Sequence, residues 1–416
     1  MALLSARGSW PLLAVASDDL PALTAQLRDA VLLDAMPVLP LPRERVPADP
    51  VVSLEPEGIA LVIETSGSTA SPKRVALSSE ALRLSARSVM RELGGHGQWL
   101  LALPTHYIAG AQVLVRSIIA GTTPVVLEGG GFDPVAFAAA SARLDPAGLR
   151  FTSLVPVQLA RLVDAAETDP AVAEAMRSYD RILVGGQSAP TGLVERACAM
   201  GALVTRTYGS TETAGGCVYD GRPLENVGVR IVDGVVELSG PMLAEEYLGD
   251  AELTEAAFTT DAAGNRWYRT GDLGSIDDDD GRLLITGRAD DVIISGGVKV
   301  VLGEVERAVR AVPGFEHAVV LRVEDLEWGE RAAVVAPETD AAAAHDALGI
   351  LAAATDAAGL TPAARPARLL FVDELPSLDS GKPDLQTLAV LLERDRDRER
   401  ASASADAESP PPPSRI

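Results

Sequence analysis

The stretch Thr65–Lys73, TSGSTASPK, places several hydroxyl side chains on a small-residue backbone just before a proline and a lysine. Backbone N–H groups, hydroxyls and an ammonium on one loop can wrap phosphate oxygens, with lysine as a compact point charge. It is not the GxxxxGK[ST] phosphate loop, because Pro72 rather than glycine precedes Lys73. Lysine is also scarce: only Lys73, Lys299 and Lys382 occur among the 36 basic residues. Four further stretches could do chemistry. YGSTETAGG (208–216) joins an aromatic ring, hydroxyls and one carboxylate, and RTGDLG (269–274) holds an aspartate in a glycine-flanked turn. GRADDVIISGG (287–297) carries an arginine and two aspartates, and LPSLDSGKPDL (375–385) presents Lys382 on a Gly/Ser loop.

Each of these has a plainer reading. Tyr208 could be core, Glu212 a carboxylate favoured by a helix start, Asp272 a turn residue, and Asp290 and Asp291 solvated. Lys382 by itself would be an ordinary loop lysine. The run Asp277–Asp280 suits a solvated hairpin turn better than a metal site.

Loops of this kind need elements to hold them. The apolar run Ile59–Ile63 reads as a strand feeding the 65–73 loop, and similar runs recur at 100–104, 123–128, 150–156, 181–186 and 203–209. Helical patterns at Leu20–Leu33, Ser79–Leu93, Gly110–Ala120 and Gln158–Ala166 accompany them. Such alternation indicates α/β layers with a largely parallel sheet, whose strand-end loops carry the candidate sites. Beyond Tyr208, short alternating strands with Gly/Asp turns indicate antiparallel structure, and a smaller mixed unit begins near Asp291. It includes a helix near Glu304–Val312 and an Ala-rich helix over 340–358. The charged, Pro-rich end is expected to be disordered. The divisions drawn are a large domain over 1–289, a small one over 290–395 and a tail over 396–416.

A length of 416 residues suits two domains, and 47% hydrophobic residues suffice for their cores. A net charge of −23 argues against nucleic acid as a partner class and equally against an anionic membrane surface. Cys198 and Cys217 cannot build a disulfide framework. The opening MALLSARGSWPLLAVAS has an apolar run at the lower limit for a secretion signal, and no run reaches the roughly 18 residues of a membrane span. A cytoplasmic protein without membrane insertion is expected.

The ordered series of stretches resembles the adenylate-forming superfamily of acyl-CoA synthetases, nonribosomal adenylation domains and luciferases. The resemblance implies a large layered α/β domain with a β-rich subdomain, and a small mobile C-terminal α+β lid. It implies ATP, Mg²⁺ and coenzyme A as cofactor and co-substrates, a carboxylic acid as the small-molecule partner, and is compatible with a homodimer. Ser66, Gly67, Ser68, Thr69 and Lys73 match the phosphate loop, with Ala70 where glycine is usual. Glu212 matches the Mg²⁺ carboxylate and Thr211 a phosphate contact. Tyr208 and Gly209 match the segment against adenine, and Gly185, Gly186 and Gln187 the loop lining the adenine and acyl pockets. Asp272 matches the ribose acceptor, Arg288 a ribose or phosphate contact, and Asp290 the hinge. Gly296 and Gly297 leave room for the pantetheine arm, and Lys382 matches the lysine that acts during adenylation. The arginine common after that lysine is replaced by Pro383-Asp384-Leu385.

On the acyl side, LPTHYIAG (103–110) resembles the superfamily's LPxxHxxG, with His106 and Tyr107 as gate residues and Gly110 closing the motif. Tyr107 takes the usual histidine position. Arg116 is the sole charge between Gly110 and Ala120. A buried cation is costly unless paired, so it either reaches solvent or a structural carboxylate, or meets a second carboxylate on the substrate. With the short N-terminal lead-in and SLVPVQLARL (153–162), this resembles the o-succinylbenzoate–CoA ligases of menaquinone biosynthesis. Another aryl- or acyl-CoA ligase, a carrier-loading adenylation enzyme and a silent nucleotide-binding relative are the alternatives.

Overall fold

The computed structural model describes residues 9–56, 58–65, 72–129, 131–338, 346–378 and 382–407. Two units divide after Ile285, slightly before the boundary drawn at 289/290 from sequence.

The first unit stacks two sheets about a layer of three helices. The first sheet takes β1 (Ser9–Ala16), β2 (Val38–Leu41), β3 (Val51–Pro56), β4 (Ile59–Thr65) and β5 (Lys73–Ser78), with the two-residue strand Glu246–Tyr247 added beside β5. The second takes β6 (Gly97–Leu101), β7 (Val125–Val126), β8 (Leu149–Leu154), β9 (Arg181–Val184), β10 (Val204–Ser210), β11 (Gly215–Tyr219) and β12 (Arg222–Pro223). From β7 through β10 its pairs are parallel; β11 and β12 close the edge antiparallel. The parallel strands therefore bring the ends of β9 and β10 to the same edge, where the following loops meet.

Between the sheets lie α1 (Leu20–Leu33), α2 (Ser79–Glu92) and α3 (Ile108–Ala120). The Asp19 side chain accepts from Ala22 N to start α1, and Leu23, Leu27, Ala30 and Val31 form its buried stripe. Ser78 caps α2 by accepting from Ala81 N. Helix α3 is buried at every position from Gly110 to Ile118, as a helix enclosed by layers must be, and stops at Gly121 with φ 69°. The far face of the second sheet is covered by a separate core that includes Phe137, Leu159, Met176 and Tyr179. A third, antiparallel sheet follows, built on Gly228–Val232, Val235–Ser239, Arg266–Ile276 and Phe258–Thr260.

The second unit is an α+β fold. The antiparallel strands Val298–Val301, Val292–Ser295, Gly329–Pro337 and Val319–Asp325 lie in that order, with Arg368–Val372 parallel to Gly329–Pro337. Ile293, Val305, Val309, Phe315, Val334 and Leu351 form its core. The Ala-rich helix is described over Ala347–Ala357.

One expectation is corrected. The tail read as disordered from 396 continues the helix Leu385–Ala407 as far as Ala407. Leu388 and Leu392, one turn apart, bury themselves against Val319 and Val335, and Arg368 pairs with Asp395 at 3.0 Å. These contacts anchor the helix, and the Glu, Arg and Ala residues that follow are good helix formers. Residues 408–416 lie outside the described residues.

Candidate active site

Strand β10 runs into a 3-10 turn, Thr211–Thr213, then Ala214 at φ 50°. Ser210 N donates to Thr213 Oγ1 at 2.9 Å, and Thr213 Oγ1 donates to Gly215 O at 2.7 Å, which locks the turn. Glu212 is thereby buried. Its carbonyl accepts from Ala244 N at 2.8 Å, and its Oε1 accepts from the Tyr247 hydroxyl at 2.8 Å. Tyr247 is set beside β5 by the register Tyr247↔Val75, and the Lys73 ammonium stands 5.7 Å from its ring centroid. One phenol thus engages both charged side chains that the sequence assigns to the metal and the phosphates, Glu212 and Lys73. Thr65 and Lys73 face each other across the ends of β4 and β5, while Ser66, Gly67, Ser68 and Thr69 lie outside the described residues.

Tyr208 lies on β10 and donates its hydroxyl to Asp272 Oδ2 at 2.7 Å. Asp272 N in turn donates to Thr270 Oγ1 at 3.0 Å. Burial, then the negative charge of Asp272, pushes the Tyr208 phenol above its ordinary pKa, so it stays a donor. Glycine is required where these strands converge. A Cβ on Gly185 would stand 2.3 Å from Thr207 Oγ1, and one on Gly209, at φ 156°, 2.2 Å from Gly215 O. Gly186 and Gln187 continue that edge beyond β9.

The acyl-side residues gather at the start of α3. His106 and Tyr107 have ring centroids 4.2 Å apart, and His106 Nδ1 shares a hydrogen bond with Ser17 Oγ at 3.1 Å. A Cβ on Gly110 would fall 2.2 Å from Pro104 O, so the helix start lies directly against the LPTHY segment. Gln112 Nε2 donates to Ala214 O at 2.6 Å, which joins α3 to the turn carrying Glu212. One turn further on, Arg116 is 4% exposed, with its guanidinium carbon 4.9 Å from the Trp99 ring centroid. Its Nε has no hydrogen-bond partner, and neither have the nearby Gln112 Oε1 and Ser117 Oγ. Burial lowers the Arg116 pKa and pushes the Tyr219 phenol up to about 12, each charge opposing that shift in the other. Arg116 therefore does not reach solvent, and no carboxylate pairs with it among the described residues.

In the second unit, Arg288 Nε donates to Asp290 Oδ1 at 3.0 Å. Burial pushes Asp290 upward, but the hydrogen bond and charge of Arg288 outweigh it and hold the carboxyl below its ordinary pKa. Burial and the neighbouring Asp290 charge push Asp291 the other way. Gly296 and Gly297 form the turn between two paired strands, at φ 56° and 82°. A Cβ on Gly296 would meet the Trp328 ring at 2.7 Å, whereas one on Gly297 would meet nothing within 4 Å. Lys299 is exposed on the following strand. Lys382 is exposed too, and its carbonyl accepts from Leu378 N at 2.8 Å beside the bridge Ser377↔Pro383.

The first unit thus brings together Lys73, Glu212 and Thr211, separately Tyr208 and Asp272, and the α3 residues against the Glu212 turn. Arg288, Asp290, Gly296, Gly297 and Lys382 belong to the second unit. Sequence reading missed Tyr247, Gln112 and Ser17. Tyr247 lies in EEYLG, with no glycine-rich or hydroxyl-rich signal; only strand pairing reveals its place. The open cleft lined by Arg181, Cys198, Val204 and Asp220 holds none of these residues. No group of three potential metal ligands occurs among the described residues.

Residues 11–240 match the family described as AMP-binding enzyme. The chain is 40% identical over 337 residues to a probable 2-succinylbenzoate–CoA ligase of Mycobacterium tuberculosis, covering 80% of this chain and 84% of that one. It resembles the solved o-succinylbenzoate CoA synthetase of Bacillus subtilis in complex with its acyl-adenylate intermediate, at TM-score 0.65 and 28% identity, over 80% of this chain and 70% of that one. An amide bond synthetase from Marinactinospora thermotolerans is similar at TM-score 0.71 and 28% identity, over 92% and 80% of the two chains. A motif series in its expected order, a hydroxyl-rich stretch ending in lysine, and a carboxylate turn joined to that lysine through Tyr247 agree with these likenesses: the chain belongs to the AMP-binding enzyme family.

Proposed function

We propose that this protein is an AMP-forming acid–CoA ligase acting on 2-succinylbenzoate. The observation that carries the reading is the 40% identity, across four fifths of both chains, to the probable ligase for that acid. Buried Arg116, a cation with no carboxylate partner among the described residues, supports a substrate bearing a second carboxylate.

In the first half-reaction a substrate carboxylate oxygen attacks the α-phosphorus of ATP, and pyrophosphate leaves. In the second, the thiol sulfur of coenzyme A attacks the acyl carbon of the adenylate, and AMP leaves. The difficulty of the first step is bringing two anions together, so the side chains act chiefly by neutralising and aligning charge. Lys73 is assigned to the β- and γ-phosphates, and the Thr211 hydroxyl to a phosphate contact. Asp272, with one oxygen held by Tyr208, takes the ribose hydroxyls, and Tyr208 with Gly209 faces adenine. Gly185, Gly186 and Gln187 line the nucleotide and acyl pockets. His106, Tyr107 and Gly110 border the acyl group, and Arg116 fixes its distal carboxylate.

Glu212 suits Mg²⁺ as a hard oxygen donor. A carboxylate without an acidic cluster around it among the described residues fits an ion that takes one or two carboxylates and completes its shell with water and phosphate oxygens. Bound there, Mg²⁺ supplies charge neutralisation to the triphosphate. In the second unit, Lys382 is assigned to the reacting carboxylate and α-phosphate during adenylation, Asp290 to the hinge, and Arg288 to the ribose or phosphate. Gly296 and Gly297 are assigned to the pantetheine arm of coenzyme A.

The test mixes the protein with MgATP and 2-succinylbenzoate and follows pyrophosphate, then adds coenzyme A and follows the thioester. Release followed by thioester formation is expected. Pyrophosphate release without thioester would favour a carrier-loading enzyme, and no release with a panel of acids a silent relative.

A further inference from the structure

The hydroxyl of Tyr247 and the face of its ring engage two different charges. The hydroxyl donates to Glu212 Oε1 at 2.8 Å, and the ring faces the Lys73 ammonium at 5.7 Å from its centroid. The side chain is 4% exposed, and its backbone is fixed by the pairing of Glu246–Tyr247 with β5 and by donation from Tyr247 N to Thr254 Oγ1 at 3.0 Å. Its ring also packs against Phe258, at 5.9 Å between centroids. A short carboxylate side chain with one oxygen held by a rigid phenol has little rotational freedom. Its other oxygen is then directed by the protein rather than by the ligand.

We propose that Tyr247 is a positioning residue for the metal–triphosphate complex: its hydroxyl fixes the Glu212 carboxylate for the divalent cation, and its ring holds the Lys73 ammonium beside it. The inference rests on the assignment of Glu212 to the metal. Partners of this kind, which orient a metal-binding group without touching the metal, are generally needed for full affinity. A stacked ammonium keeps its charge free for phosphate oxygens, because the ring contact uses none of its hydrogen-bond donors. Among the described residues Glu212 Oε1 accepts from no other donor, so deletion of this one hydroxyl releases the oxygen.

Substitution Tyr247→Phe removes the hydroxyl and keeps the ring beside Lys73, whereas Tyr247→Leu removes both. The full-length protein is titrated with Mn²⁺, observed by electron paramagnetic resonance, in the presence of α,β-methylene-ATP, a non-hydrolysable analogue. Binding of the analogue in EDTA and the melting temperature are read alongside. For Tyr247→Phe, Mn²⁺ affinity is expected to fall about tenfold, with metal-free analogue binding unchanged. For Tyr247→Leu, metal-free analogue binding is expected to weaken as well. A purely structural ring would lower the melting temperature and leave the Mn²⁺ affinity of the folded fraction as it was. Unchanged Mn²⁺ affinity in Tyr247→Phe, with affinity lost in Glu212→Gln, overturns the role of Tyr247 alone. Unchanged affinity in Glu212→Gln overturns the metal assignment and this inference with it.

Discussion

The Tyr208 hydroxyl donates to Asp272 Oδ2 at 2.7 Å across 64 residues of chain, binding the strand end of the second sheet to the strand Arg266–Ile276 of the third, where the sequence suggested a turn. The aromatic and the carboxylate that sequence assigns separately to adenine and ribose are therefore one unit. An aspartate must present both oxygens in a fixed plane to take two vicinal hydroxyls, and a phenol on one oxygen holds that plane.

Tyr208→Phe keeps the ring and removes this constraint. A hydrogen bond to a charged group contributes about 1.5–3 kcal/mol in full, of which a substrate-binding difference of about 1 kcal/mol is the expected share. The KM for ATP should rise about fivefold, with kcat and the KM for the acid nearly unchanged. Steady-state kinetics with each substrate varied in turn checks this, and an unaltered KM for ATP would separate Tyr208 from ribose recognition.

Arg116 offers a prediction with two signs. Removing a charge that burial already disfavours should not destabilise the free protein, so Arg116→Leu is expected to melt at or above the wild-type temperature. Loss of one partner of a buried charged contact costs about 2–5 kcal/mol, so kcat/KM for 2-succinylbenzoate should fall by roughly 30-fold or more. A benzoate without the second carboxylate should be handled as before. An unchanged preference between the two acids would make Arg116 a structural residue held by Trp99.

The two predictions mark where sequence reading succeeds and where it stops. The strand Ile59–Ile63 and the helix Leu20–Leu33 are local patterns, and both stand in the structure, as β4 extended to Thr65 and as α1. Arg116 was legible because a lone charge within an apolar helix is itself anomalous. Tyr247 was not, because its meaning comes from a two-residue strand pairing with β5 and from a carboxylate 35 residues away. The helix to Ala407 was missed because its apolar anchors, Leu388 and Leu392, precede the charged run that reads as disordered. Propensity carries a helix past its last buried contact, and a search for apolar period does not register that.

Asp261 gives a pH dependence. A hydrogen bond from Trp267 Nε1 at 2.8 Å is the largest influence on it, and donors from Asn265 and Ala263 add to this, lowering its pKa from 3.8 to about 2. A carboxyl whose folded pKa lies below its unfolded value stabilises the fold above the unfolded value and loses that contribution as pH falls through the folded one. Asp261→Asn should therefore melt lower than wild type at neutral pH, and the difference should close between about pH 4 and pH 2. Thermal melts across this window decide it. A difference that stays constant down to pH 2 would show that ionisation of Asp261 plays no part.

Lys382 allows the half-reactions to be separated. The residue is exposed on a loop of the second unit. Under its assignment the charge acts where the carboxylate attacks the α-phosphorus, because two anions converge there. Thioester formation replaces one of them with a neutral acyl carbon and has no such need. Loss of one preorganised stabilising group typically costs about 10²–10³ in rate, and Lys382→Ala should lose at least that in pyrophosphate release. Supplied with synthetic 2-succinylbenzoyl-adenylate and coenzyme A, the same variant should form thioester within about twofold of wild type, since no lost contact acts in that step. Single-turnover measurements of each half-reaction provide the check. An equal fall in both would mean that Lys382 serves a single arrangement of the active site throughout the cycle, and that the small domain need not present different residues to the two steps.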